Sequence, residues 1–410
     1  MPSPLEAARA SARALAKAGR LHDAIRLYER IRCVAPDDPT LALDLGGLLL
    51  QGDDNDRAVA HFQAMTQAHP RLEVAWQGLG KALHDGLRHE DAILVFTRAA
   101  DLSEAPGRAV YHRGMVRLGM GDFAQGWRDY EHRLTIPEFG HRVFPQPRWN
   151  GDPLNGRRLL VICEQGYGDV FQFIRLLPLL RDFGGQIIFE CPMELRALLA
   201  PLLDGIEVAP LRGRQAPDTR FDCYVSLLSL PLLLNLTAAT IPAPPRYLAG
   251  ARATPRMIGG PHRVGVCWAG KPSHPQDAHR SMDPEFLAPL ARVPGVTLVS
   301  LQKDPSQRPA LAGLCPFLSE PPEPLVDFAA TARVMADLDL VVTVDTSVAH
   351  LAAALGCPVW LLLSRPGEWR WLRDRTDSPW YPTMRLFRQD TLGVWTAPIA
   401  RVVAALRDTI

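Results

Sequence analysis

The 410-residue chain has almost no net charge: 45 basic against 44 acidic side chains leave a formal +1. A surface without a dominant sign presents no global field to nucleic acid or to an anionic membrane, so neither is expected as a partner and any anion site must be local. A CxxC pair is also missing. The seven cysteines (Cys33, Cys163, Cys191, Cys223, Cys267, Cys315, Cys357) are dispersed, mostly inside apolar runs. That excludes a zinc site or a disulfide frame and fits reduced core thiols. The twelve histidines show no paired ligand spacing; His274 and His279, five apart in a loop, read as a chance spacing. No apolar run reaches the roughly 20 residues that span a bilayer. The first 20 residues, alanine-rich with interspersed Arg and Lys, lack an apolar h-region. The expectation is a cytoplasmic protein with no signal peptide and no transmembrane segment. The hydrophobic content of 47% is enough for two or three buried cores.

What is present begins with a repeat. Ala24, Ala58, Ala92 and Gly126 are spaced by 34, as are Tyr28, Phe62, Phe96 and Tyr130, and as are Ala12, Gly46, Gly80 and Gly114. Pro36 and Pro70 close the first two units. This is the helix-turn-helix period of tetratricopeptide repeats: small residues let paired helices approach, the aromatic fills the gap between neighbours, and proline breaks the chain before the next unit. Glu104 stands where the third unit's proline belongs and Gly126 replaces the fourth alanine, so distortion is expected at the end of the array. Such a solenoid commonly docks an extended protein segment on its concave face, a spacer or dimerisation arm being the alternative. Residues 1–136 are therefore read as repeats. Residues 137–156, with Pro137, Pro145, Pro147, Gly151 and Pro153, are read as a linker.

From residue 157 the pattern changes to buried strands, each followed by a polar turn. Residues 159–163 read as a strand, then Glu164 to Asp169 as a turn, then a helix carrying Val170, Phe173, Ile174 and Leu177. Gly166 and Gly168 permit positive φ and close backbone approach. Asp169, in the first turn, is either a capping carboxylate or an acceptor for a hydroxyl proton. Further strands are expected at 186–190 and 222–227, and a proline-rich stretch at 241–261 separates this domain (157–255) from a second one (256–410). There, residues 263–268 form a strand whose long loop carries Lys271 and Arg280, cations suited to a diphosphate or simply solvated. Asp283-Pro284-Glu285 reads as N-cap, N1 and first-turn acid. The strand at 296–301 ends in Gln302-Lys303. Residues 338–344 form a buried strand that stops at Asp345-Thr346-Ser347, after which Val348, Leu351, Ala352 and Leu355 recur at helical spacing until Gly356 and Pro358 precede another buried run at 359–363. Such a turn lies where ligands bind in doubly wound sheets, and its helix start suits a phosphate. Asp345 reads as an N-cap or a ribose-hydroxyl acceptor, and His350 as a hydrogen-bonding group at the same anion or a packed core histidine. Asp337 and Asp339 spell DxD but precede their strand, so no metal is required.

The blocks 164–169, 264–270, 279–281, 300–303, 344–351 and 378–382, in order along nearly the whole chain, resemble bacterial tetratricopeptide-repeat proteins with a heptosyltransferase-like glycosyltransferase domain. The resemblance implies an α-helical solenoid followed by a GT-B enzyme of two facing α/β Rossmann-like domains, with the nucleotide sugar held mainly by the C-terminal one. It implies Asp169 as general base and the 345–350 loop at the donor diphosphate, with Gly166, Gly168, Lys271, Arg280, Gln302, Lys303, Asp345, Thr346, Ser347 and His350 as donor-side candidates. No cofactor beyond the sugar donor is expected. Protein O-glycosyltransferases of the O-GlcNAc and flagellin type also join repeats to a GT-B half, which implies a protein acceptor. Lys271 stands where such relatives more often carry Asn. The alternatives are a non-catalytic repeat scaffold that only binds nucleotide and an enzyme acting on a surface saccharide.

Overall fold

The computed structural model describes residues 4–36, 38–52, 54–213, 215–248, 262–274, 277–303 and 315–409. The chain divides into two compact units, Met1–Gly140 and His141–Ile410.

Among the described residues the first unit contains eight α-helices in chain order: α1 Pro4–Lys17, α2 Leu21–Val34, α3 Pro39–Gln51, α4 Asn55–Ala68, α5 Glu73–Asp85, α6 His89–Asp101, α7 Gly107–Gly119 and α8 Phe123–Tyr130. Consecutive helices pack on one another. The reason is the period-34 set: Ala12, Ala24, Ala58 and Ala92 are fully buried, as are Tyr28, Phe62, Phe96 and Tyr130 to within a few per cent. A methyl at Gly80 would sit 2.7 Å from the Phe96 ring, and one at Gly46 would run into Phe62, so these positions demand the smallest residue. Asp38, Asp54 and Asp122 cap α3, α4 and α8 with their carboxylates. The expected distortion falls on the last helix, which stops after Tyr130 and continues as a 3-10 turn, Glu131–Thr135.

The second unit has two parallel sheets. β1 Arg158–Ile162, β2 Gln186–Cys191, β3 Glu207–Pro210 and β4 Cys223–Ser226 form one, in the order β3-β2-β1-β4. Helix α9, Tyr167–Phe173, follows β1 directly. The other sheet contains β5 His262–Cys267, β6 Val296–Ser300, β7 Leu318–Ser319, β8 Leu340–Val344, β9 Val359–Leu363 and β10 Met384–Arg388, in the order β10-β9-β8-β5-β6-β7. Its helices include α10 Phe328–Ala336, α11 Ser347–Ala354 and α12 Thr396–Thr409. All strand pairs are parallel, so strand ends that carry polar turns collect at one edge of each sheet. These are two Rossmann-like α/β halves.

Three strands, β3, β7 and β10, were not expected from the sequence. β3 and β7 are short, and the five residues of β10 include two arginines, Arg385 and Arg388, so all three lack the continuous apolar run that marks their neighbours. The expected linker is a second correction. Phe144 is buried among Leu160, Ile162, Ile188, Phe221 and Tyr224. Trp149 donates its N–H to the Tyr224 carbonyl at 2.8 Å, and Arg148 bridges to Tyr224 beside β4. The Arg142 guanidinium pairs with the fully buried Glu190 carboxylate. The segment covers an otherwise bare sheet edge, which its prolines permit because an edge strand can forgo a donor. The boundary expected between residues 255 and 256 lies outside the described residues. What precedes it is tied across the halves: Tyr247 and Leu248 donate their N–H groups to the carbonyl of Ala354 at the end of α11.

Candidate functional site

Helices α9 and α11 each begin at the carboxyl end of a central strand, β1 in one half and β8 in the other, and they pack against each other. Gly168 makes this approach possible: a methyl there would lie 3.0 Å from the His350 ring. Gly168 does this by being small, and neither it nor Gly166 adopts positive φ. Gly166 is extended (φ −100°), and the left-handed residue of the turn is Gln165 at φ 62°. The packing sets Gly168 of the first half against His350 of the second, so the helix start that carries Asp169 meets the helix that begins with Thr346 and Ser347 after Asp345.

Asp169 uses one carboxylate oxygen to accept the Gly166 N–H at 2.8 Å and the other to pair with the Arg370 guanidinium. It is thus a helix-start cap and a cleft residue at once. Asp345 is not the N-cap expected of it. Thr346 occupies that position and makes no side-chain cap bond. The Asp345 carboxylate accepts the Trp371 indole N–H at 2.8 Å, and its carbonyl accepts from Arg280 at 3.0 Å. Burial holds the Asp345 carboxyl above the usual carboxylate range, although Trp371, Arg280 and Arg370 pull the other way. His350 is buried; its Nδ1 and the Tyr381 hydroxyl share a hydrogen bond at 2.8 Å, and its ring lies 5.2 Å from that of Trp371. Burial first, then Arg370 and Arg175, push its pKa well below 6.5, so the ring is neutral at pH 7. The imidazole is enclosed, with Nδ1 engaged by Tyr381.

The remaining donor-side candidates separate. Arg280 is held at the site by Asp277 at 3.2 Å and by the Asp345 carbonyl, in space that Gly270 leaves open. Lys271 is exposed on the same loop. Gln302 is buried and spent: its Oε1 accepts from the N–H groups of Trp268 (3.3 Å) and Ala269 (3.1 Å), while its Nε2 donates to the Ala269 carbonyl. It braces the turn after β5. Lys303 is committed as well, donating to the Val326 carbonyl at 2.7 Å. Asp339 of the DxD pair accepts the Arg263 N–H at 2.8 Å and pins β8 to β5. Among the described residues no three His, Cys, Asp or Glu side chains gather as metal ligands.

Sequence reasoning missed a fourth strand end. After β9, the 3-10 turn Trp369–Trp371 carries Arg370, whose guanidinium pairs with Asp169 and Glu368 and donates through Nε to Gln172 at 2.7 Å. Its carbon lies 4.4 Å from the Trp369 ring centre. Burial, together with the nearby carboxylates of Asp345 and Asp169 and against the pull of Arg370, pushes Glu368 up to about 7. His274 belongs here too: burial and Arg280 lower its pKa while Asp277, Asp345 and Asp169 raise it. The signal available was the Trp-Arg-Trp triplet soon after a buried run, a polar group between two large aromatics at a strand end.

A family model of the tetratricopeptide repeat matches residues 15–83. A second, glycosyltransferase family 9 (heptosyltransferase), matches residues 322–377, a span that contains Asp345, Thr346, Ser347, His350, Glu368, Arg370 and Trp371. Among curated proteins the chain is 28% identical to Protein FlbA of Caulobacter vibrioides, over 94% of this chain and 75% of that protein. It is 33% identical to the peroxisomal targeting signal receptor of Candida glabrata over 27% of this chain and 18% of the receptor. Among solved structures, MamA from Desulfovibrio magneticus RS-1 aligns with 33% of the chain and 74% of its own, at 21% identity and a TM-score of 0.28.

Proposed function

We propose that this repeat-bearing glycosyltransferase moves a sugar from a nucleotide donor to a hydroxyl of a protein acceptor docked by its repeats, with inversion at the anomeric carbon and without a metal ion. The observation that carries the reading is the packing of α9, with Asp169 at its start, against α11, with Asp345 and Arg280 beside its start and the Trp369–Trp371 turn linking Asp169 to Asp345. In this reading the start of α11 and Arg280, with Lys271 on its exposed loop, receive the donor diphosphate and balance the charge that grows on it as the glycosidic bond breaks. Asp169 accepts the proton of the acceptor hydroxyl as its oxygen attacks the face opposite the leaving nucleotide. A protein acceptor is supported by the array, whose period is that of a peptide-docking solenoid, and by a stretch of likeness to a protein named as a targeting signal receptor. A flagellin-type acceptor is the first candidate from the sequence resemblance.

The test is to offer the full chain a panel of UDP-, GDP-, ADP- and CMP-sugars, with and without purified flagellin, and to follow released nucleotide, the anomeric configuration of the product and the effect of EDTA. Release from one donor class, inversion and indifference to EDTA are expected. Donor binding without release, with or without flagellin, would favour a scaffold that has lost catalysis; transfer only to a lipid-linked saccharide would favour the heptosyltransferase-like alternative.

A further inference from the structure

We propose that Arg370 is a positioning residue for Asp169, so that the proton acceptor of the first half is oriented by the second. The inference rests on the reading of Asp169 as the group that takes the acceptor's proton. Its basis is geometric. The guanidinium of Arg370 is 9% exposed as a residue and reaches three acceptors: Asp169 and Gln172, three residues apart on α9, and Glu368 on its own turn. Trp369 and Phe173 flank it, with ring centres at 4.4 and 6.0 Å. A planar fork whose donors are shared between one carboxylate and a neighbouring amide of the same helix fixes the plane of that carboxylate, which a point charge would not do. The other Asp169 oxygen is fixed by the Gly166 N–H. Asp169 is therefore clamped from its own helix start and from the opposite half. A base clamped in this way presents its remaining lone pairs in one direction only while the Trp369–Trp371 turn is docked. Orientation of the reacting groups then depends on the two halves being closed, a coupling that keeps the base idle when they part.

The test uses Asp169→Asn, Arg370→Gln, Arg370→Lys and the two double variants in the full chain, with nucleotide release from the UDP-, GDP-, ADP- and CMP-sugar panel as the readout and calorimetry for donor affinity. Asp169→Asn is expected to lose roughly 10²-fold in turnover. Arg370→Gln is expected to lose roughly 10- to 100-fold in kcat with KM within a few-fold, and Arg370→Lys to recover part of it, since the charge returns without the fork. Each double variant should be no slower than Asp169→Asn alone, because the arginine acts through the aspartate. If Arg370→Gln does not fold, Arg370→Lys and its double variant decide. Wild-type turnover in the arginine variants beside a crippled Asp169→Asn would overturn the positioning role alone, as would losses that multiply in the double variants. Full activity in Asp169→Asn would overturn the base reading and this proposal with it.

Discussion

Desolvation favours the neutral form in both the repeat unit and the α/β unit, but the two differ in which groups it acts on and in how those groups are gathered. In the repeats the perturbed groups are histidines held neutral: burial, with His89 and Lys81 nearby, brings His84 down to about 3, and burial with Lys81 and Arg108 brings His112 down to about 4. Acids and bases otherwise pair locally, as Asp129 does with Arg113 at 2.7 Å and Arg117 at 2.6 Å. In the α/β unit carboxyls pushed upward, Asp345 and Glu368, sit beside His350, held neutral, and all three are set among arginines. The array distributes its burial evenly over a repeated small-and-aromatic set. The α/β unit concentrates strained electrostatics where two strand ends meet. A cluster of that kind is costly to keep.

The largest effects should come from removing what each unit depends on most. Arg142→Met leaves Glu190 buried without its cation and should destabilise the α/β unit by about 3 to 5 kcal/mol, read by denaturant unfolding. Phe96→Ala should cost a similar ~3 to 5 kcal/mol through the cavity left against Gly80 and Ala92, in the repeat transition alone. If either change destabilised both units equally, the division of labour described above would fail. A smaller effect is expected at His350. His350→Ala removes one partner of the buried Tyr381 hydroxyl and should cost about 1 to 3 kcal/mol in stability while changing nucleotide affinity little. Calorimetry showing a tenfold or greater loss of nucleotide affinity in a folded variant would return His350 to the donor site.

The least effect, and the sharpest contrast, is in pH. The unfolded chain takes up protons at His84 and His112 near 6.5, before the folded repeats do. Their contribution is complete above 6.5 and is lost as pH falls from there toward about 4 and about 3. Glu368 runs the other way. Its folded carboxyl binds a proton more readily than the ordinary 4.5, so its contribution is complete below 4.5 and is lost as pH rises through about 7. Hydrogen exchange at pH 5 and pH 7.5 should therefore show the repeats better protected at the higher pH, with His84→Gln plus His112→Gln removing much of that gain. Glu368→Gln should make the cleft turn less sensitive to the same change. Repeats whose protection is unchanged between the two pH values would contradict the buried-histidine account.

How far the sequence could be read follows from the same contrast. The array was legible because Ala24, Tyr28 and Ala12 recur at a fixed interval and each recurrence lands in a like environment. The junctions at Asp169 and Asp345 were legible because a fully buried strand followed by a polar turn is a local pattern. Neighbours were not. That Gln302 spends its amide on the backbone of residues 268 and 269, that Asp345 meets Trp371, and that residues 141–149 line the first sheet are facts of packing between segments far apart in the chain. Arg370 escaped notice for the same reason: its meaning comes from Asp169 and Gln172, 201 and 198 positions away.

The central claim is that the cleft performs glycosyl transfer with Asp169 as the proton acceptor, and it is tested most directly by comparing the wild type with Asp169→Asn in parallel donor-binding and turnover measurements. The account predicts donor affinity within a few-fold and turnover lower by roughly 10²-fold or more; equal turnover in the folded variant would contradict it.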